Sequence, residues 1–156
     1  MRKRNTVLSL AAAATVAALI SSCAPAGQYV AHSNLTVQCT ETLVGQNVAF
    51  GVTDGGVSGT GHCAITGVLH DSGPVTDYRT QDGETAFIRR VIAGAKGAIT
   101  IVITIHLVSG GGEPWTITSG TKTYTKLHGR GFEVVDNYQG SPATFVLKGT
   151  VSQARA

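Results

Sequence analysis

Between Ile99 and Val108 the chain alternates without a break. Ile99, Ile101, Ile103, Ile105 and Leu107 fall on one side, and Thr100, Val102, Thr104, His106 and Val108 on the other. Successive side chains of an extended chain point to opposite faces, so this period marks a strand with one buried face. A helix of about 3.6 residues per turn would scatter the same residues around its axis, and the β-branched side chains favour the strand as well. The pattern recurs along the chain. Leu35, Val37 and Cys39 alternate with Thr36, Gln38 and Thr40; Val48, Phe50 and Val52 repeat it; Cys63, Ile65 and Leu69 share a face with Gly67 between them. Weaker runs occupy 115–119, 122–127, 132–136 and 143–152.

Turn-forming clusters separate these runs: Asp54-Gly55-Gly56, Asp71-Ser72-Gly73-Pro74, Asp82-Gly83, Gly110-Gly111-Gly112 and the stretch from Asn137 to Pro142. The best helical candidate is 84–93, yet Phe87, Arg89 and Val91 there also fit an alternating strand. Strands joined in sequence by hairpins must close on themselves or stack, because an open sheet leaves unpaired edges. The meander-like spacing predicts an all-β fold, a single antiparallel β-barrel of about eight strands, with a β-sandwich as the alternative.

The N-terminal stretch has a different character. Arg2-Lys3-Arg4 precede an uncharged, alanine-rich run from Val7 to Ile20, followed by small residues, which are the parts of an export signal. The apolar run is too short to cross a hydrocarbon core roughly 30 Å thick as a helix. Ala24-Pro25-Ala26 fits a cleavage site, giving a signal over 1–26 and a single mature domain over 27–156. Ile20-Ser21-Ser22-Cys23 alternatively resembles a lipobox, with the signal ending at residue 22 and Cys23 lipidated. Either route removes Cys23 from the pool of free thiols and leaves Cys39 and Cys63, which can pair in an oxidising compartment. Their bridge would close a loop worth roughly 3 kcal/mol in the chain-entropy model. The signal also holds three of the 12 Lys and Arg, so nine basic side chains face nine acidic ones in the rest. A basic footprint for nucleic acid is therefore absent from the mature chain.

Chemical motifs are sparse. Gly59-Thr60-Gly61-His62-Cys63-Ala64 matches G-x-G-x-x-A, but an alternating strand follows where a phosphate-binding helix is required, so a hairpin tip is expected there. His62 and His70 share parity but lie about 26 Å apart on an extended strand, and His32, His106 and His128 add no converging set; no metal or cofactor is expected. His70-Asp71-Ser72 is read as turn chemistry, because a triad is assembled from separate segments and no G-x-S-x-G elbow occurs. Glu41, Asp77 and Glu133 lie within predicted strands, where a barrel can turn a carboxyl inward and raise its pKa. Parity counts against Glu133, whose neighbours Phe132 and Val134 read as the buried face. Arg89-Arg90 is expected on an edge strand, the alternative being an inward arginine able to hold an anionic ligand.

Residues 115–131 read Trp-Thr-Ile-Thr-Ser-Gly-Thr-Lys-Thr-Tyr-Thr-Lys-Leu-His-Gly-Arg-Gly. This resembles the hairpin W-x-I-x-S-G-T-G-x-Y-x-x-L-x-G-x-G of secreted bacterial proteins related to the allene oxide cyclase and dirigent barrels, departing from it at Lys122, where glycine is usual. Gly149-Thr150-Val151 fits the later part of the pattern loosely. The resemblance implies a barrel of about six to eight strands with a central cavity, and carries over no reaction. On the residues themselves, Trp115 and Ile117 should point inward, Gly120 should permit a tight turn, and Gly129 and Gly131 should relieve crowding.

These readings lead us to expect an exported barrel, secreted or lipid-anchored, at the cell envelope or outside the cell, with no transmembrane segment in the mature chain. Its expected role is a binding or interaction module for a small hydrophobic ligand. The alternatives are an enzyme of the cyclase or dirigent type working inside the barrel, and a structural envelope protein. Catalytic and ligand-binding residues are not identifiable from the motifs, and neither is the oligomeric state.

Overall fold

The computed structural model describes residues 33–44, 55–108, 112–137 and 142–153; the export segment with Cys23, His32 and the run Val48, Phe50, Val52 lie outside them. Eight strands follow one another: β1 (Ser33–Leu43), β2 (Gly56–Gly67), β3 (Asp71–Asp82), β4 (Thr85–Gly94), β5 (Gly97–His106), β6 (Glu113–Gly120), β7 (Leu127–Asn137) and β8 (Ala143–Gln153). Each pairs antiparallel with its sequence neighbour, as short connections require. β1 then pairs with β8, from Ser33 opposite Val151 to Glu41 opposite Ala143, which closes the sheet into a barrel and excludes the sandwich.

Alternation decides what lies inside. Leu35, Val37 and Cys39 on β1, Cys63 and Ile65 on β2, Val75 on β3, and Ile99, Ile101 and Ile103 on β5 are all buried in one core. Trp115 and Ile117 join them from β6, as the hairpin pattern anticipates, with Phe145, Leu147 and Val151 from β8. Cys39 and Cys63 are direct register partners on β1 and β2 and form the expected disulfide, their Cα atoms 4.0 Å apart.

Four local expectations are corrected. The run 122–127 is not a strand: a 3-10 turn, η1 (Lys122–Tyr124), drops the Tyr124 ring into the lower end of the barrel, and the threonines around it gave only the look of alternation. Lys122 has φ 50 there, a left-handed backbone that glycine adopts more readily than lysine. Asp71-Ser72-Gly73-Pro74 opens β3 rather than forming the turn; the bend falls just before it, after Gly67 at φ 103. Pro74 is tolerated because β3 pairs with β4 only from Val75 onward, so nothing on that side asks for its missing N–H. Gly59 through Ala64 is no hairpin tip, but lies inside β2, paired on both sides. Finally, the run 84–93 falls on strand β4 (Thr85–Gly94), paired on both sides and not an edge, with Ala86, Arg90 and Ile92 buried on its inner face.

Candidate functional site

The two ends of the barrel differ in chemistry. At the lower end, where β2–β3, β4–β5 and β6–β7 connect, Ile99, Ile117, Tyr124, Leu127 and Val151 fill the interior with hydrocarbon and one phenol ring. Asp71 ties that end together. It accepts hydrogen bonds from the backbone N–H groups of Ser72 (2.9 Å), Ala95 (3.1 Å) and Lys96 (3.0 Å), and from the Tyr124 hydroxyl (2.8 Å). Burial opposes its charge, but the bonds from Tyr124, Lys96, Ser72 and Ala95 together hold its carboxyl below the usual aspartate value. Burial, and then the bonded Asp71 carboxylate, push the Tyr124 phenol up. Asp71, the first residue of β3, thus ties its own strand to the β4–β5 connection and to η1.

The upper half of the interior is ionic. Arg90 on β4, only 1% exposed, reaches across the barrel to carboxyls from three other strands. Its Nε donates to Asp77 Oδ1 on β3 at 3.0 Å and its Nη2 to Asp77 Oδ2 at 2.8 Å, the side-on two-point grip that suits a guanidinium and a carboxylate. Nη1 donates to Glu133 Oε1 on β7 at 2.7 Å. Glu41 on β1 brings Oε1 to 2.9 Å from Nη2, while the Phe145 ring of β8 lies 5.0 Å from the guanidinium carbon. Exposures of 0% for Glu41, 4% for Asp77 and 8% for Glu133 make this a fully internal quartet.

Two corrections follow for the sequence reading. Glu133 faces inward, and Phe132 and Val134, 60% and 51% exposed, face out. The inner face of β7 is Leu127, Gly129, Gly131 and Glu133, so the two glycines, not the bulky neighbours, carried the signal for its parity. Arg90 is the inward member of its pair, while Arg89 stays outside and stacks 4.1 Å from the centre of the Tyr78 ring. The common parity of Ala86, Arg90 and Ile92 was the available clue. Glu41 and Asp77 sit inward, as strands in a barrel allowed.

Burial raises the Glu41 carboxyl to about 8, against the attraction of Arg90, with Asp77 and Glu133 adding repulsion. Burial likewise raises Glu133 to about 7, Arg90 opposing, and Glu113 and Asp77 pushing the same way. Burial disfavours the guanidinium charge too, but Asp77, Glu133 and Glu41 outweigh it and keep Arg90 firmly protonated. The interior thus holds a fixed cation, and two carboxyls that exchange protons near neutrality. Both Glu41 oxygens accept no hydrogen bond from the described residues, and the buried Trp115 Nε1–H has no acceptor among them.

Room for Glu41 comes from β2: a Cβ on Gly59 would lie 2.8 Å from Glu41 Oε2. Cys39, Glu41 and Cys63 bring two sulfurs and a carboxylate oxygen within 4.8 Å of one another, but the sulfurs are bonded to each other, which removes the thiolates a metal would need. His62, His70, His106 and His128 are all exposed on the outside. No helix among the described residues is long and apolar enough to cross a membrane.

No protein-family model and no curated protein matches this sequence. Among solved structures the chain is similar to a pterocarpan synthase dirigent protein, at 10% identity and a TM-score of 0.48 over 89% of this chain and 100% of the other. A second pterocarpan synthase dirigent protein matches at 13% identity and a TM-score of 0.47, over 83% of this chain and 97% of its own. Likeness at this level says nothing of chemistry, which rests on this chain's own residues.

Proposed function

We propose that this protein is an exported barrel that binds a small molecule in its interior, at the cell envelope or outside the cell, with the Arg90 quartet as the polar part of the binding site. The observation that carries this reading is the convergence of Glu41, Asp77, Arg90 and Glu133 from four strands onto one buried point. Burying four ionisable groups costs several kcal/mol per ion before pairing, and hydrocarbon of the same volume would fill a structural barrel at no such cost. Ile101 and Ile103 of β5, beside Arg90, suit the apolar body of a ligand, and the quartet its polar end. Export, maturation at residue 26 or lipidation at Cys23, and a single mature domain over 27–156 complete the proposal.

A second reading has its own support. Carboxyls at about 8 and about 7 are matched to proton transfer near neutral pH, which favours an enzyme of the cyclase or dirigent type, with Glu41 or Glu133 as acid or base.

The single tryptophan of the chain, Trp115, is buried in the same interior and gives a direct reporter. The test is an NMR screen of small molecules and envelope extracts, following the Trp115 indole N–H in the wild type and in Glu133→Gln. The reading expects hits that shift this resonance in the wild type and weaken in the variant. A screen in which nothing moves the indole would leave the quartet as a structural brace and sink the proposal. Mass measurement of the exported protein, with metabolic labelling by a tagged fatty acid, decides between a free and a Cys23-anchored form.

A further inference from the structure

Acidic and basic side chains cancel in number over residues 27–156, but not in place. Among the described residues the barrel keeps most of its acids inside. Glu41, Asp77 and Glu133 are buried, Glu113 is half-buried on the inner face of β6, and Asp71 is half-buried under four hydrogen bonds. The exposed acids are Asp82 and Glu84, both at the β3–β4 turn of the upper end. The exposed lysines and arginines are Arg89, Arg130 and Lys148 on the outer wall, and Lys96, Lys122 and Lys126 at the lower end. A neutral chain has thus folded into a barrel with one basic end.

That end is a single connected surface. Lys96 stands on the β4–β5 turn, Lys122 on η1 and Lys126 just before β7. Thr123 N–H donates to Lys96 O at 3.3 Å and Thr121 N–H to Ala98 O at 2.9 Å, while Lys96 Nζ donates to His70 O of the β2–β3 connection at 2.7 Å. The Gln153 side-chain amide, at the end of β8, donates to Thr123 O. Val68, 50% exposed on the β2–β3 connection, adds an apolar side chain to the same end. The route of the chain sets this end apart from a row of solvated lysines. β1 starts here, with Ser33 opposite Val151, so the segment 24–32 joins the barrel beside the lysines. That segment contains no acid, and Arg155 follows β8 by two positions.

We propose that the lower end of the barrel docks on an anionic lipid surface, with Lys96, Lys122 and Lys126 against the headgroups. Each lysine held near such a surface raises the partition onto it roughly fivefold. With Cys23 lipidated, the segment 24–32 could reach at most about 30 Å when fully extended. It would hold the basic end toward the membrane and the acidic β3–β4 turn away from it. The inference takes the exported location from the proposed function and nothing from the interior site.

The test is sedimentation of the purified mature protein with vesicles of phosphatidylcholine alone, and of phosphatidylcholine mixed with phosphatidylglycerol. Both are run in low salt and in about 1 M salt, where the screening length falls to about 3 Å. The proposal expects binding to the anionic vesicles alone, lost in high salt. It expects the triple variant Lys96→Gln, Lys122→Gln, Lys126→Gln to bind about a hundredfold more weakly, while the wall variant Arg89→Gln, Lys148→Gln stays close to the wild type. On nanodiscs of the anionic mixture carrying a spin-labelled headgroup, the amides of Val68, Lys96 and Thr123 should broaden before those of Asp82 and Gly83. Equal binding to neutral vesicles, an equal loss in the wall variant, or broadening that starts at the upper end overturns the docking face. A short DNA duplex bound as tightly at the same charge concentration overturns the lipid as partner. Because the vesicles never probe the interior, their failure leaves the binding of a small molecule there untouched, and a failed ligand screen leaves the docking face standing. Should the triple variant not fold, the salt dependence and the order of broadening in the wild type decide the matter.

Discussion

Replacing Glu41 by glutamine should make the protein more stable than the wild type in alkaline solution, and this can be worked from the site. The Glu41 carboxyl titrates at about 8 in the folded protein against 4.5 for the ordinary group, so the folded state binds its proton more tightly than the unfolded chain does. A raised folded value means that the stabilisation is complete below the unfolded value and is lost as pH climbs through the folded one. At about 1.36 kcal/mol per pKa unit, ionising this one group costs the fold about 5 kcal/mol by the time the solution is alkaline, a large share of a typical domain's stability. Glu133, raised to about 7, steepens the slope over the lower part of the same window. Glutamine has the shape of the protonated acid and cannot ionise. Near about pH 5 the wild type and Glu41→Gln should differ by no more than ~1 kcal/mol, while near about pH 9 the variant should lead by several kcal/mol, a gap of ~15 °C in Tm for a domain of this size. Urea unfolding at a series of pH values, without reductant and followed by Trp115 fluorescence, measures both curves. Parallel curves over that range, or a wild type that leads at the alkaline end, would refute the charge assignment of the quartet.

Other perturbations have equally definite outcomes. A valine at Gly149 would place its Cβ 2.5 Å from the Trp115 ring and against the backbone of Arg130 and Gly131, so Gly149→Val should cost ~3 kcal/mol or prevent folding, read by circular dichroism and thermal melts. Exchanging Cys39 and Cys63 together for alanine should lower stability by about 3 kcal/mol, read as a drop in the urea midpoint with a somewhat steeper slope, since the unlinked unfolded chain exposes more surface. Lys122→Gly should raise stability by up to ~1 kcal/mol, because glycine relieves the left-handed backbone at φ 50; a loss in the thermal midpoint would contradict it. Tyr124→Phe removes one bond to Asp71 and should cost about 1 kcal/mol, with little effect on the indole resonance of Trp115.

Much of the architecture was legible in the sequence because the barrel is built from repeated alternation, and alternation survives translation into structure. Ile99 to Ile103 declared their inner face outright, and the evenness of the turn clusters implied a meander that closes. The cysteine count implied the bridge between Cys39 and Cys63. Legibility failed where bulk was taken for burial. Phe132 and Val134 are larger and more apolar than Gly129, Gly131 and Glu133, yet the smaller residues face in, because the interior beside Trp115 has no space for side chains on both sides. The ion cluster was half visible: Glu41 and Asp77 could be placed on strands, but their meeting with Arg90 depends on strand order and register, which a local pattern does not encode. Residues 122–127 failed for another reason. Threonine favours strands, but a buried tyrosine anchored to Asp71 overrode that preference.

Closure through β1 and β8 joins residues written more than a hundred positions apart, as where Ser33 stands opposite Val151. Until Ala143–Gln153 is synthesised, β1 and β7 each have one side with no strand beside it, and Glu41 lacks the wall that shuts it from water. A chain interrupted anywhere before β8 would present two free hydrogen-bonding rims, the geometry that draws separate molecules into shared sheets. The long wait for this pairing also slows folding, since distant contacts are the last to form. On the export route proposed above, slowness of that kind would be useful: the final strand would act as a clasp that stays open during transit and fastens on the far side.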